Sequence, residues 1–472
     1  MGRAQVFDDL LLGVLDAVED ASPLQAVEAV TETLADRLGA SAAFFLAADL
    51  AGGALVRMSY GSTDAALARQ GLGGSEGVAR VDEGGEQSVA VPVVRGGPVE
   101  AALRTQTLQV LPAAPADSHA DTQGASTGAV VLAPVTERGE VLGLLQLSVP
   151  ESPDAEALAE IARIAHLLAF VIIANRRHTD LFERAERSTL FSLPAEIQRR
   201  LLPSAFTCEG GPFTLAAWLE PAASVGGDTF DYSLARDALH LSLTDAMGHG
   251  VASALTATLC VNSLRNTRRM GGSLLQQADA ANTTLYEHAT KGRTDHFATG
   301  LVARLDLQTG ALTVVNAGHV PPYLCRGADT AVVALAPDLP LGLFADSEYQ
   351  PSELVLEPGD RLVLVTDGMM ERNAAALDLR DAITHTRDLH PREATRRLTA
   401  LVLESCGQNL ADDATVLVLD WYGDHGRARR TSSGAEQWRA SARRSSVDTR
   451  VRPRFTTDPT SADGSSDGGT SN

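Results

Sequence analysis

Residues 241–259 read LSLTDAMGHGVASALTATL. An apolar, strand-like run stops on Asp245, the chain turns through Gly248-His249-Gly250, and a helix of small residues follows. A carboxylate at the end of an apolar strand is expensive to desolvate unless something positive compensates it. Taken alone, Asp245 also fits a helix N-cap.

Three further acidic sites share this pattern: Asp228 in SVGGDTFDY, Asp367 in LVLVTDGMMERN, and the pair Asp412-Asp413 in NLADDATVLVL. Each has an ordinary explanation by itself. Asp228 and Asp231 suit a turn after Gly226-Gly227, Asp367-Gly368 suits a hairpin turn, and Asp412 or Asp413 suits a loop before a strand. Taken jointly they say more, because three of the sites abut the apolar runs LHLSLT, RLVLV and TVLVL. If those runs are neighbouring strands in one sheet, their acidic ends converge at one edge, and uncompensated carboxylates packed that closely repel or take up protons. Hard divalent cations resolve the conflict, since magnesium and manganese prefer carboxylate, carbonyl and water oxygens. No histidine-rich or thiol-rich cluster accompanies the acids, which disfavours zinc. Two such ions about 3.5–4 Å apart activate a shared water and clamp the attacking and leaving oxygens of an in-line displacement, the chemistry of phosphate ester hydrolysis. Gly227 lets the chain approach the ions, and Gly248 and Gly250 permit a tight turn. His249 fits a turn as well as a general acid and stays outside the catalytic set.

The surrounding chain sets the frame. At 472 residues and 44% hydrophobic content it is long enough for two domains with separate cores. A net charge of −21 opposes a nucleic-acid or anionic-membrane partner, so a soluble cytoplasmic protein is expected. Cys208, Cys260, Cys325 and Cys406 are far apart and read as free thiols. The first residues lack a basic-then-apolar signal pattern, and the most apolar segment, 161–174, carries Arg163 and His166 and is short for a membrane span.

Residues 1–152 read as a first domain: a helix carrying Leu24, Val27, Val30 and Leu34, then the strands AAFFLAA, SVAVPVV, AVVLAPV and EVLGLLQLSV. Residues 93–128 read as a long loop over the sheet. Over 153–194 a connecting helix is predicted, whose stripe Leu158, Ile161, Ala165, Leu168 and Ile172 docks on its own domain or pairs in a homodimer. Residues 195–423 read as an α+β layered domain with strands FTLAAWLEP, ALHLSLTD, GLVARLDL, ALTVVNAG, RLVLVTDG and ATVLVLDW, the third and fourth joined by a Thr-Gly hairpin turn. Helices are predicted near 249–270, 273–291 and 391–405. Residues 424–472 hold nine arginines, six acids and few apolar residues, the composition of a disordered tail.

The ordered motifs GGDTFDY, TDAMGHGVASA, HFATG, NAGHVPP, PLGLF, LEPGDRLVLVTDGMMERN and DDATVLVL resemble the type 2C, or PPM, metal-dependent protein serine/threonine phosphatases, in the SpoIIE/RsbU-like branch. The resemblance covers about residues 195–420 and implies an α-β-β-α sandwich. It implies two Mn2+ or Mg2+ ions bridged by Asp245, with Asp228, the Ala246 carbonyl, Asp367 and Asp412 as further ligands and the adjacent Asp413 as the alternative to Asp412. Asp228, Asp245 and Asp367 are the residues it marks as catalytic. The implied substrate is a phosphoserine or phosphothreonine on an anti-sigma-factor antagonist, acting in trans. A catalytically weak phosphoprotein-binding regulator with the same fold is the alternative. The N-terminal domain is similar to GAF sensor domains, which implies a small-molecule ligand or none, and a PAS-like module competes. IQRRLLP, residues 197–203, is similar to the segment that precedes catalytic domains in this branch, and reads either as a regulatory element or as a plain linker helix.

Overall fold

The computed structural model describes residues 3–49, 54–59, 78–81, 87–94, 96–112, 128–185, 192–222, 226–370, 378–407 and 410–423, so the tail expected to be disordered lies outside the described residues. Helices α1 (Arg3–Asp20) and α2 (Ala26–Leu38) lead into β1 (Ala42–Ala48), β2 (Ala54–Ser59), β3 (Val78–Val81) and β4 (Gln87–Pro92). Next come α3 (Pro98–Thr105), β5 (Gln109–Pro112), β6 (Ala129–Glu137), β7 (Glu140–Val149) and α4 (Ala155–Asn175). The strands form one antiparallel sheet in the order β3-β4-β2-β1-β7-β6-β5. Strand alternation separates its faces. Phe45, Val131, Val135, Leu145 and Leu147 pack against α1, α2 and α4, while Leu46, Leu55, Leu132 and Leu144 pack against Ala102 of α3.

Several expectations are revised here. Helix α1 adds to the predicted α2, and Leu24 is exposed just ahead of α2 instead of lying on its buried stripe. The stretch 93–128, expected as a loop, contains α3 and the edge strand β5, with 113–127 outside the described residues. Gly97 and Pro98 start α3 in the favoured order, with proline where a helix has no use for its N–H. The helix expected over 153–194 is broken: α4 stops at Asn175, a 3-10 turn spans Arg176–His178, and α5 (Leu181–Ala185) and α6 (Leu193–Leu201) follow, with 186–191 outside the described residues. Ile161, Ala165, Leu168 and Ile172 are buried against the chain's own first domain. The helical stretch Ala155–His178 is long and apolar enough to cross a membrane, unlike the shorter 161–174, and 39% of its most apolar window is buried inside the protein.

The second half contains β8 (Thr207–Glu209), β9 (Phe213–Glu220), β10 (Asp228–Leu234), β11 (Ala238–Ala246), α7 (Gly250–Arg269), α8 (Leu274–Gly292), β12 (Ala298–Asp306) and β13 (Ala311–Ala317). It continues with β14 (Tyr323–Arg326), β15 (Asp329–Val332), β16 (Pro351–Val355), β17 (Arg361–Val365), α9 (Leu379–His385), α10 (Pro391–Ser405) and β18 (Ala414–Trp421). Two antiparallel sheets result, β10-β11-β12-β13-β16 and β15-β14-β17-β18-β9-β8. Leu239, Leu241 and Leu243 of one sheet share a core with Leu215, Leu364, Leu417 and Trp421 of the other. Helices α7 and α8 cover the outer face of the first sheet, and α9 and α10 that of the second. This is the α-β-β-α layering. Strand β18 is buried along its whole length because both its faces are covered, which explains the unbroken apolar run TVLVL.

The halves meet at the tip of the β6–β7 hairpin. There Glu209 donates its backbone N–H to the Arg138 carbonyl at 2.9 Å, and Arg392 of α10 donates to the carbonyls of Gly139 at 2.9 Å and Arg104 at 2.7 Å.

Candidate metal-binding active site

Asp245 is the penultimate residue of β11, just before the chain leaves the sheet, and its Cα partner on β10 is Asp228. It is not the cap of α7, whose N-cap is the exposed His249. The turn between is made by Gly248 and Gly250, at φ 91° and 79°, conformations that a side chain would strain. Asp228 and Asp245 therefore sit side by side at one end of the first sheet. Contrary to expectation, the three apolar runs are not neighbours in one sheet: β11 belongs to the first sheet and β17 and β18 to the other. It is the facing of the two sheets that brings Asp367 and Asp413, which flank β17 and β18, to the edge where Asp228 and Asp245 lie.

Asp228 is 2% exposed, and its Oδ2 accepts hydrogen bonds from the hydroxyls of Thr366 at 2.7 Å and Thr415 at 2.5 Å. Both donors come from the opposite sheet, so the carboxylate's rotation is fixed across the sandwich. Burial still pushes its carboxyl well above the ordinary range, helped by the negative charges of Asp245 and Asp413. Burial, then the charges of Asp367, Asp412 and Asp413, push Asp245 up to about 7.

Asp412 and Asp413 differ sharply. Asp413 is 1% exposed; its Oδ1 accepts from the N–H groups of Ala222 at 2.9 Å and Gly226 at 3.1 Å, and its Oδ2 from Gln198 Nε2 at 2.6 Å. Both oxygens are thus committed to protein donors. Asp412 is less buried, and its Oδ1 accepts from the Asp413 N–H at 2.8 Å. Gln198, on α6 within IQRRLLP, also donates to the Asp228 carbonyl at 2.9 Å, so one buried amide ties the segment before the domain to two of the acidic sites. Asp231 belongs elsewhere: Arg265 and Arg268 of α7 pair with it.

The Ala246 carbonyl accepts from Ser253 Oγ at 2.9 Å, and a Cβ at Gly227 would collide with that carbonyl and with Ser253. A Cβ at Gly226 would lie 2.9 Å from Asp412 Oδ1 and Asp413 Cγ. The glycine pair is needed to let the chain pass this close.

Among the described residues no three His, Cys, Asp or Glu side chains are already gathered as a metal-holding group. The donors nonetheless suit a hard divalent cation: they are all oxygens, and the Asp245 carboxyl is pushed up to about 7 by burial first and then by neighbouring negative charge, which a cation would offset. The last three residues of the motif LEPGDRLVLVTDGMMERN, 371–373, lie outside the described residues. Gln198, Thr366 and Thr415 were not predicted from the sequence; the only signal for the threonines is their position beside Asp367 and Asp413 in the motifs. A cavity of about 1210 Å3 lies between the two halves, lined by Arg104, Glu140, Trp218, Arg392 and Arg396, and none of the five acids lines it.

Residues 235–422 match the family model described as stage II sporulation protein E (SpoIIE). The chain is 25% identical to the phosphoserine phosphatase RsbP of Bacillus subtilis (strain 168) over 210 residues, 43% of this chain and 51% of that one. It is 23% identical to the phosphoserine phosphatase RsbU of the same organism over 233 residues, 48% of this chain and 68% of that one. The SiaA-PP2C domain of Pseudomonas aeruginosa aligns at 21% identity over 48% of this chain and 94% of that one, with a TM-score of 0.40. Residues 235–422 are thus similar to the SpoIIE family and to the phosphoserine phosphatases RsbP and RsbU. The chain spans about half the length of the first of these relatives.

Proposed function

We propose that residues 195–423 are a metal-dependent protein serine/threonine phosphatase domain. Asp228, Asp245, the Ala246 carbonyl, Asp367 and Asp412 would hold two Mn2+ or Mg2+ ions, which when bound supply an activated water and balance the charge of the phosphoryl group. Asp413 supports these ligands without joining them, because its oxygens are occupied by Ala222, Gly226 and Gln198. Thr366 and Thr415 orient Asp228, and Ser253 orients the Ala246 carbonyl. The single observation that supports this reading is the placement of Asp228 beside Asp245 at one end of the first sheet, with Asp367 and Asp413 at the ends of β17 and β18 in the other.

The substrate we infer is a phosphoserine or phosphothreonine on an anti-sigma-factor antagonist protein: the relatives' names, phosphoserine phosphatase, support the phosphoserine, and the motif resemblance alone supports the antagonist. Residues 1–152 would act as the GAF-like sensor domain, and the cytoplasm is the proposed location. The hairpin-tip contact with Arg392 supports communication between the halves, and the cavity beside it offers room for a regulatory ligand.

Hydrolysis of para-nitrophenyl phosphate with manganese, then with EDTA, tests the activity, comparing the wild type with Asp245→Asn. Metal-dependent turnover lost in the variant is the expected result. Equal activity of the two would refute the metal assignment, and inactivity of both would favour the phosphoprotein-binding regulator.

A further inference from the structure

His319, in the NAGHVPP turn after β13, is 7% exposed and bonded on both sides of its ring. Its Nε2 lies 3.2 Å from the Val365 carbonyl and its Nδ1 lies 2.7 Å from Thr299 Oγ1. A carbonyl only accepts, so Nε2 carries the ring proton and donates it; Nδ1 is then bare and accepts from the threonine hydroxyl. The backbone holds the ring in place, since the His319 N–H donates to Asn316 Oδ1 at 2.8 Å. Burial lowers the imidazole to about 4, which keeps this neutral arrangement at ordinary pH.

The two partners belong to different sheets and adjoin different acids. Thr299 on β12 is the Cα partner of Asp245. Val365 ends β17, one residue before Thr366, which holds Asp228, and two before Asp367. The ring thus spans the sandwich directly behind the acidic edge. Apolar packing is non-directional, whereas a ring with one donor and one acceptor fixes its two partners in both direction and distance.

We propose that His319 is a positioning residue that sets the separation of Asp245 and Asp367 by bridging β12 to β17. The proposal rests on the phosphatase reading above. A side chain serving stability alone would change melting temperature without selectively altering metal affinity. Partners standing behind metal ligands typically affect affinity or activity by about 10- to 100-fold.

The test uses the full chain as wild type, His319→Gln, His319→Phe and Thr299→Val. It measures manganese binding by calorimetry, para-nitrophenyl phosphate kinetics at saturating metal, melting by circular dichroism, and the ring tautomer by 15N NMR. His319→Phe should bind manganese about 10- to 100-fold more weakly and lose kcat with KM nearly unchanged. His319→Gln, whose amide can donate and accept, should recover part of both. If His319→Phe does not fold, Thr299→Val removes the same bridge from its other end and carries the same expectation. Wild-type-like metal binding and kcat in the folded variants, equal effects of Gln and Phe, or an Nδ1–H tautomer overturns the proposal. A wild type that binds no manganese overturns the phosphatase reading as well, which separates the two failures.

Discussion

Gly227→Ala probes the ligand geometry most directly. A Cβ built there would fall 2.7 Å from the Ala246 Cβ and still closer to the Ala246 carbonyl oxygen and Ser253 Oγ. Ordinary contact begins near 3.4 Å, so the Ala246 carbonyl oxygen, which would lie 2.4 Å from the new Cβ, has to retreat by about 1.0 Å. Neither Ala246 nor Ser253 has room to yield cheaply, both being buried. Overpacking of this kind costs about 1–3 kcal/mol. That is tolerable for the fold, but metal-ligand distances are held to within about 0.2 Å, and misplacing a reacting group by about 1 Å can cost about 100-fold in rate. Gly227→Ala should therefore fold, show a modestly lower melting temperature, and lose both manganese affinity and turnover far beyond its stability loss. Calorimetric manganese titration beside para-nitrophenyl phosphate kinetics gives the comparison. Wild-type affinity and kcat in a folded Gly227→Ala protein would refute the role of the Ala246 carbonyl.

Other predictions follow from the same contacts. In metal-free protein, the folded carboxyl of Asp245 near 7 lies above its unfolded value of 3.8, so its contribution favours folding below pH about 4 and is lost as pH rises through about 7. Urea unfolding in EDTA should show weaker stability at pH 8 than at pH 5, and Asp245→Asn should flatten that difference. Gln198→Leu strips a donor from Asp413 Oδ2 and from the Asp228 carbonyl; it should cost about 1–3 kcal/mol per group left unpaired, read by chemical unfolding, and should weaken manganese binding. Arg392→Ala removes the donor to Gly139 and Arg104, so limited proteolysis should cut between the halves faster while para-nitrophenyl phosphate turnover by the catalytic domain persists.

Strand identity in the C-terminal domain was legible because LHLSLT, RLVLV and TVLVL are apolar runs bounded by turn residues, and helix α10 was legible from Pro391 and its apolar spacing. The acids were legible too, because each interrupts or borders such a run. Helix α3 was hidden in a stretch rich in alanine, proline and glycine, where composition argues for a loop and only packing of Ala102 beneath the sheet selects a helix. The break after Asn175 was also hidden, since the charged residues that follow suit an exposed helix as well as a turn.

By itself, the sequence determined which residues carry negative charge and that they stand at strand ends, since alternation and turn chemistry are local properties. Only the tertiary structure decided which acids meet. Pairing of β10 with β11 sets Asp228 beside Asp245, and the facing of two sheets brings Thr366 and Thr415 to Asp228 from far along the chain. The same packing gives Asp413 to Ala222, Gly226 and Gln198 and leaves its neighbour Asp412 as the proposed ligand. Adjacent aspartates are chemically identical in sequence; their hydrogen-bond partners, contributed by distant segments, make them different.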